Sequence, residues 1–306
     1  MNPIVIRVGG YQKPASIHNR AAARFGELVT RALGGKVAFE LIGDVLALGR
    51  GSGDLLPMVA AGELEGCYIS TVRFTKAVPD FKLLELPFIV KSRPAIIAAL
   101  DGALGEHLKR RALEATPYRI LGFWDNGFRH LTNRVRPIRT PADCRDLRIR
   151  TQMSELHVEG FRTLGFQPIP ADVKEFVAEI AGDRFQAQDN PLTNIYNFGV
   201  HKFHRHITLS GHFWGASAFA FSESVYRSWP AEVRGAVDAA AIEATHYQHE
   251  LAAAEDAEMM AKLSACDNEV IELTASEHAA FVAALSPLLE KYRRELGPAL
   301  FRLLDA

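Results

Sequence analysis

The feature that most restricts the fold is a regular alternation, through the first 124 residues, of short apolar strand-like runs with helix-length amphipathic segments. Ile4 to Val8 alternates as a strand. His18 to Leu33 carries apolar residues at helical spacing and stops at Gly34-Gly35, where glycine supplies the left-handed cap that ends many helices. Lys36 to Ile42 is a second strand, Ser52 to Ala61 a helix, and Gly66 to Ser70 a short strand. Arg93 to Ala115 is a long amphipathic helix entered past Pro87 and Pro94. A β-α-β-α-β succession needs crossover connections, so it implies an α/β architecture with a largely parallel sheet.

A chain of 306 residues that is 48% hydrophobic can build two cores of ordinary size, and the pattern after Trp124 shows where the second begins. Tyr118 to Trp124 is an apolar strand, Asn126-Gly127 reads as a turn, and the basic, proline-punctuated stretch Asn133 to Pro141 reads as passage into a second lobe. Alternation resumes with Leu147 to Thr151 and Phe166 to Ile169 as strands and Glu155 to Leu164 and Val173 to Ile180 as helices. Phe185 to Gln188, Ile207 to Ser210 and Ala216 to Phe221 are further strands. The expected division is a first lobe of residues 1–124 plus about 213–250 and a second lobe of 125–212. A helix at about 230–263, entered through Pro230 and about thirty residues long, would measure roughly 45 Å and span both lobes. Residues 264–306 are expected as C-terminal helices packing on the lobes, broken at Gly297-Pro298.

Several function classes drop out on composition. With 35 basic and 36 acidic residues and a net charge of −1, no bulk attraction draws the chain to nucleic acid or anionic lipid. No apolar run approaches the ~18 residues of a membrane span. Cys67, Cys144 and Cys266 show no CxxC spacing, which points to neither a disulfide framework nor zinc. His201, His204, His206 and His212 match no compact metal-ligand spacing, so neither metal nor cofactor is expected. Gly49-Arg50-Gly51-Ser52-Gly53 fits neither the dinucleotide fingerprint nor the phosphate loop.

What remains is carboxylate chemistry. An arginine fork donates two parallel hydrogen bonds and stays charged at any accessible pH. Arg150 closes the run Leu147-Arg148-Ile149-Arg150-Thr151, in which both arginines share one face and the apolar pair the other. A strand's carboxyl end in an open α/β sheet is where ligand crevices form; a surface strand with solvated arginines would show the same local pattern. Arg129, after Asn126-Gly127, suits an anion contact or a loop charge. Asn190, before Pro191, suits either a helix cap or a ligand contact. Trp124, Phe213 and Trp214 stand near the lobe crossings as core residues or as apolar walls of a pocket.

Taken in order along nearly the whole chain, these motifs resemble the DctP-type substrate-binding subunits of tripartite ATP-independent periplasmic (TRAP) transporters. The resemblance rests on Leu86-Pro87-Phe88, on Trp124-Asp125-Asn126-Gly127-Phe128-Arg129, and on Arg139-Thr140-Pro141-Ala142-Asp143 leading into Leu147-Arg148-Ile149-Arg150. It continues through Leu164-Gly165 before Pro168 and Pro170 and ends at Gln188-Asp189-Asn190-Pro191-Leu192. It implies a two-lobed periplasmic-binding-protein-like fold that closes by hinge motion around a small organic acid and presents it to membrane subunits. It also implies Arg150 as the main carboxylate anchor, Arg129 and Asn190 as further contacts, and first-lobe contacts around Gln12, Ser70 and Thr71. The chain departs from the family where Gln186 and Ala187 precede Gln188, and where Asp172-Val173 stands in place of a common aromatic, so the resemblance does not name the acid.

The resulting expectation is a non-enzymatic periplasmic binding protein, with the secretion leader trimmed from a sequence that already reads as a strand near Ile4. Two rivals stand beside it: an enzyme using Arg150 to anchor a carboxylate and His130 or His212 as acid or base, and a ligand sensor serving a signalling receptor.

Overall fold

Residues 3–304 are described by the computed structural model; Met1, Asn2, Asp305 and Ala306, the outer ends of the first-lobe and C-terminal segments expected above, lie outside the described residues. In chain order the elements are β1 (Ile4–Gly9), α1 (Ile17–Leu33), β2 (Val37–Ile42), α2 (Leu55–Ala60), β3 (Gly66–Ser70), α3 (Arg93–Asp101), α4 (Ala103–Ala115), β4 (Tyr118–Asn133), β5 (Arg148–Thr151), α5 (Glu155–Thr163), β6 (Gln167–Pro170), α6 (Val173–Ala178), β7 (Ala187–Pro191), α7 (Leu192–Asn197), β8 (His206–Ser222), α8 (Glu223–Ser228), α9 (Ala231–Ser264), β9 (Glu269–Glu272), α10 (Ala275–Leu296) and α11 (Pro298–Arg302).

The chain forms two compact units. Unit 1 holds the segment ending at Val78, Leu100–Asp125 and Ala216–Ala253; unit 2 holds Pro79–Ala99, Asn126–Gly215 and the chain from Ala254 on. β4, β8 and α9 therefore each contribute to both.

In unit 1 the strand order is β2-β1-β3-β8. β1 pairs parallel with β2 and β3, as the alternation demands, and β3 pairs antiparallel with the second half of β8. Ser16 caps α1 by accepting from the Asn19 amide, and Gly34 (φ 56°) ends it. Its buried face sets Phe25 edge-on to Phe39 and Phe219. The first part of α9 docks through alanines, including the buried Ala241 and Ala244. It accepts the Trp124 indole N–H at Thr245 Oγ1 (3.1 Å) and takes both hydrogen bonds of the Asp125 peptide on Gln248.

In unit 2 the order β4-β7-β5-β6 combines parallel β7-β5-β6 pairing with an antiparallel β4-β7 ladder running from Arg129↔Pro191 to Asn133↔Ala187. β9 adds parallel to the start of β8. One core here gathers Phe176, Phe185, Ile195 and Ile207 with Met259 and Leu263 from the end of α9. Pro79–Ala99 is held in this unit by α10 and α11 and by the Phe88 N–H bond to His212 O (2.9 Å).

Several local expectations change. The single helix expected over Arg93 to Ala115 breaks at Gly102, whose φ −107° and ψ −142° are not helical, giving α3 and α4. The Asn126-Gly127 turn is absent: β4 runs on to Asn133 because its second half pairs with β7, and Gly127 absorbs the irregularity at φ 91°. A Cβ there would lie 3.3 Å from Pro191 Cβ as well as adopting a left-handed backbone that disfavours side chains. Ile207 to Ser210 and Ala216 to Phe221 join as the single 17-residue β8, kinked at Gly211 (φ 55°). The four-residue β9 carries too little alternation to be recognised from sequence.

Candidate functional site

Arg150 is rooted in β5, a strand that forms because Ile149 is fully buried on one side while Arg148 and Arg150 take the other. Arg150 is 5% exposed. Its Nε and Nη2 donate to the Ala171 carbonyl at 3.0 and 2.7 Å, and its guanidinium carbon lies 5.5 Å from the Phe176 ring centre. The fork is thus oriented by a fixed backbone oxygen and an aromatic face. Arg148, on the same side, instead reaches the Asp183 and Arg184 carbonyls.

The ladder places Gln188 of β7 opposite Arg150. Gln188 opens a chain of neutral side chains: its Nε2 donates to Thr132 Oγ1 (2.7 Å), which is 2.8 Å from His204 Nδ1, and its Oε1 accepts from the Asn190 amide. Asn190 Oδ1 in turn accepts from Asn194 Nδ2 at 3.3 Å. Burial pushes the His204 imidazole down to about 3, so it is neutral. Asn190 does not cap α7: Pro191 holds the cap position without a side-chain bond, because Asn190 is still in β7 and faces the Gln188 side.

Arg129 belongs to the opposite strand face, where β4 and β7 alternate the other way. Its Nε donates to Asp189 Oδ2 (2.5 Å) and its Nη2 to the Asp189 carbonyl (2.6 Å), with side chains 2% and 0% exposed. His212 Nε2 lies 3.6 Å from the same carboxylate, and its Nδ1 is 2.7 Å from Ser210 Oγ. Burial alone would raise the Asp189 carboxyl; the Arg129 charge and the His212 contact outweigh it and hold the group ionised far below the usual carboxylate range. The structure therefore brings Arg150 and Asn190 together through Gln188 and gives Arg129 an internal counter-ion. Trp214, also in unit 2, is buried in β8 at 2% exposure.

The remaining candidates lie in unit 1. Gln12 follows β1, is 1% exposed, and donates its backbone N–H to Gly43 O (3.1 Å) and Tyr68 Oη (3.2 Å). Ser70 ends β3 opposite Ser217 of β8, and Thr71 Oγ1 donates to Ala216 O (3.1 Å). The sequence reading does not single out as site residues Gln188, Thr132 and His204, which the hydrogen bonds join to Asn190. Two-residue alternation from Asn190 was the available signal for Gln188; the others are brought in by pairing and helix docking, which leave no local signal.

Among the described residues no three His, Cys, Asp or Glu side chains gather within metal-ligating reach, and no helix is long and apolar enough to cross a membrane. The clustered histidines disperse: His201 stacks on Tyr196 and His206 Nδ1 meets Glu269 at 2.9 Å.

Two α/β units joined by long shared strands and a shared helix, with a buried arginine on an inner strand, are the build of a solute-binding protein. The sugar acid binding protein DctPAm of Advenella mimigardefordensis, solved with galactonate, matches at a TM-score of 0.94 and 23% identity over 100% of this chain and 98% of that one. A TRAP periplasmic solute-binding protein of Sulfurospirillum deleyianum, solved with bound succinate, matches at 0.93 and 26% over 100% and 99%. The y4mM protein of Sinorhizobium fredii is 30% identical over 292 residues, 95% of this chain and 53% of that protein, so the chain spans about half of that relative's length. The chain belongs to the DctP family, bacterial extracellular solute-binding proteins of family 7, whose family model matches residues 8–295.

Proposed function

We propose that this chain is a periplasmic solute receptor that captures a small organic acid and delivers it to the membrane subunits of a TRAP importer. The observation that carries the reading is Arg150: a buried cation on an inner strand, its fork held by the Ala171 carbonyl, with the Gln188 and Asn190 amides on the same face. Arg150 is the main carboxylate anchor, with Arg129, Asn190, Trp214, Gln12, Ser70 and Thr71 as further contacts. The acids bound by its relatives, galactonate in one and succinate in another, are of the kind such an anchor holds. The rival enzymatic reading is disfavoured by the histidines it needs. Burial, with the neighbouring His212 and Arg129, pushes His130 down to about 3, and burial lowers His212 as well. General acid–base catalysis works best with a group poised near the operating pH.

The test is a thermal-shift screen of organic acids followed by calorimetry on the best ligand. Removing one partner of a buried ion pair costs about 3–5 kcal/mol. Arg150→Ala is therefore expected to weaken binding roughly a hundred-fold to several-thousand-fold at about 1.4 kcal/mol per decade. Near-native affinity in Arg150→Ala would refute the assignment, and chemical conversion of the bound acid would restore the enzyme.

A further inference from the structure

The register that sets Gln188 opposite Arg150 also sets it opposite Thr132 of β4, so three side chains from neighbouring strands of unit 2 share one face in a row. Asn190 follows two residues on along β7 and stands on the same face. Thr132, Gln188 and His204 are fully buried, and Asn190 and Asn194 are nearly so. Buried amides are costly unless bonded, and once bonded each group fixes which end of its neighbour donates.

The bonds here run in one direction. An asparagine amide carries two N–H donors on nitrogen and an acceptor oxygen. The Asn190 amide nitrogen donates to Gln188 Oε1, and Asn190 Oδ1 accepts from Asn194 Nδ2 of α7 at 3.3 Å. Gln188 is held from behind in turn: its Nε2 donates to Thr132 Oγ1 at 2.7 Å, and that hydroxyl lies 2.8 Å from His204 Nδ1. Turning the Asn190 amide over would set its oxygen against Gln188 Oε1 and its nitrogen against Asn194 Nδ2, replacing two hydrogen bonds by two like-with-like contacts. Asn190 therefore cannot reverse unless Gln188 and Asn194 reverse with it. Asn194 holds this orientation although its own Oδ1 is buried without a hydrogen bond. So fixed, Asn190 has one N–H engaged by Gln188 and a second N–H that none of these bonds uses.

We propose that Gln188 and Asn194 are positioning residues: they hold the Asn190 amide with its nitrogen as the donor toward the cargo, so that this side chain meets an acceptor oxygen of the acid. The proposal rests on the reading of Asn190 as a contact to the bound acid. Neither residue needs to touch the cargo, because the effect of each on affinity passes through Asn190. A hydrogen bond to a charged group is stronger than a neutral one, so its misalignment is read directly in the dissociation constant.

The experiment is a pair of double-mutant cycles read by calorimetry. The probes are succinate, D-galactonate, pyruvate and benzoate, a dicarboxylate, a sugar acid, a keto acid and an aromatic acid, and the one that binds the parent protein most tightly is carried through. Gln188→Met and Asn194→Leu are each expected to weaken it about ten-fold, and Asn190→Ala about ten-fold or more. In an Asn190→Ala background neither of the first two changes weakens binding further, because nothing remains to be positioned. Melting curves run alongside: a residue that only supports the fold lowers the melting temperature and leaves the dissociation constant unchanged. That result, or losses that add in full to that of Asn190→Ala, overturns the proposal. The side-chain amide NMR signals of Asn190 in the parent protein give a reading that needs no destabilising change. The acid should shift one amide proton strongly and leave the other, bonded to Gln188, close to its place; equal movement of both overturns the proposal. An affinity unchanged by Asn190→Ala overturns instead the reading of Asn190 as a contact, and binding of none of the four acids overturns the organic-acid reading beneath it.

Discussion

Asp189→Asn isolates the energetics of a deeply buried ion pair. The substitution keeps the shape of the side chain and removes the charge opposite Arg129, which is 2% exposed and bonded to Asp189 through both the carboxylate and the carbonyl. Arg129 cannot reach water or shed its proton, so its charge is left uncompensated in a site of low polarisability. Removal of one partner from such a pair costs about 3–5 kcal/mol, which at about 2–4 °C per kcal/mol lowers the melting temperature by roughly 6–20 °C. Urea unfolding at pH 7 followed by tryptophan fluorescence measures the loss. The double variant Arg129→Met/Asp189→Leu is the control: with no charge left inside, it should recover most of the loss. A single Asp189→Asn change within 1 kcal/mol of the parent would refute the argument.

Two further predictions follow from burial. His18, His130 and His204 are held near 3 in the folded protein against an ordinary 6.5, chiefly by burial. The unfolded chain therefore binds more protons between those values. Stability is fully present above about pH 6.5 and falls as the pH drops, by up to about 1.4 kcal/mol per unit for each histidine. Melting temperatures from pH 7 to 4.5 should decline steeply, with a shallower slope in His130→Gln; a flat profile would contradict the assignment. Burial also raises the Cys67 and Cys144 thiols, while Cys266 is half-buried. Iodoacetamide on the native protein at pH 8 should label Cys266 first by mass spectrometry, and early labelling of Cys67 would contradict the packing.

Elements whose pattern is carried by their own residues were readable before folding. α1 appears within a residue of its expected start because Ser16 caps it and Gly34 stops it, both local events. The long helix appears as Ala231–Ser264, with Trp229 and Pro230 leading into it. Elements that depend on a distant partner were not readable. Asn126-Gly127 looked like a turn because the β7 ladder that straightens β4 comes from residues sixty positions away. Gly211 looked like a break in what pairing makes one strand.

The same division runs through the site. The linear chain singled out the arginine near the end of β5, since charge identity and two-residue alternation are properties of neighbours along the backbone. It could not say that Arg129 and Arg150 leave opposite faces or that Asp189 neutralises one of them. Those depend on strand register, where a slip of one residue turns every side chain to the other face, and register is set by the whole assembled core.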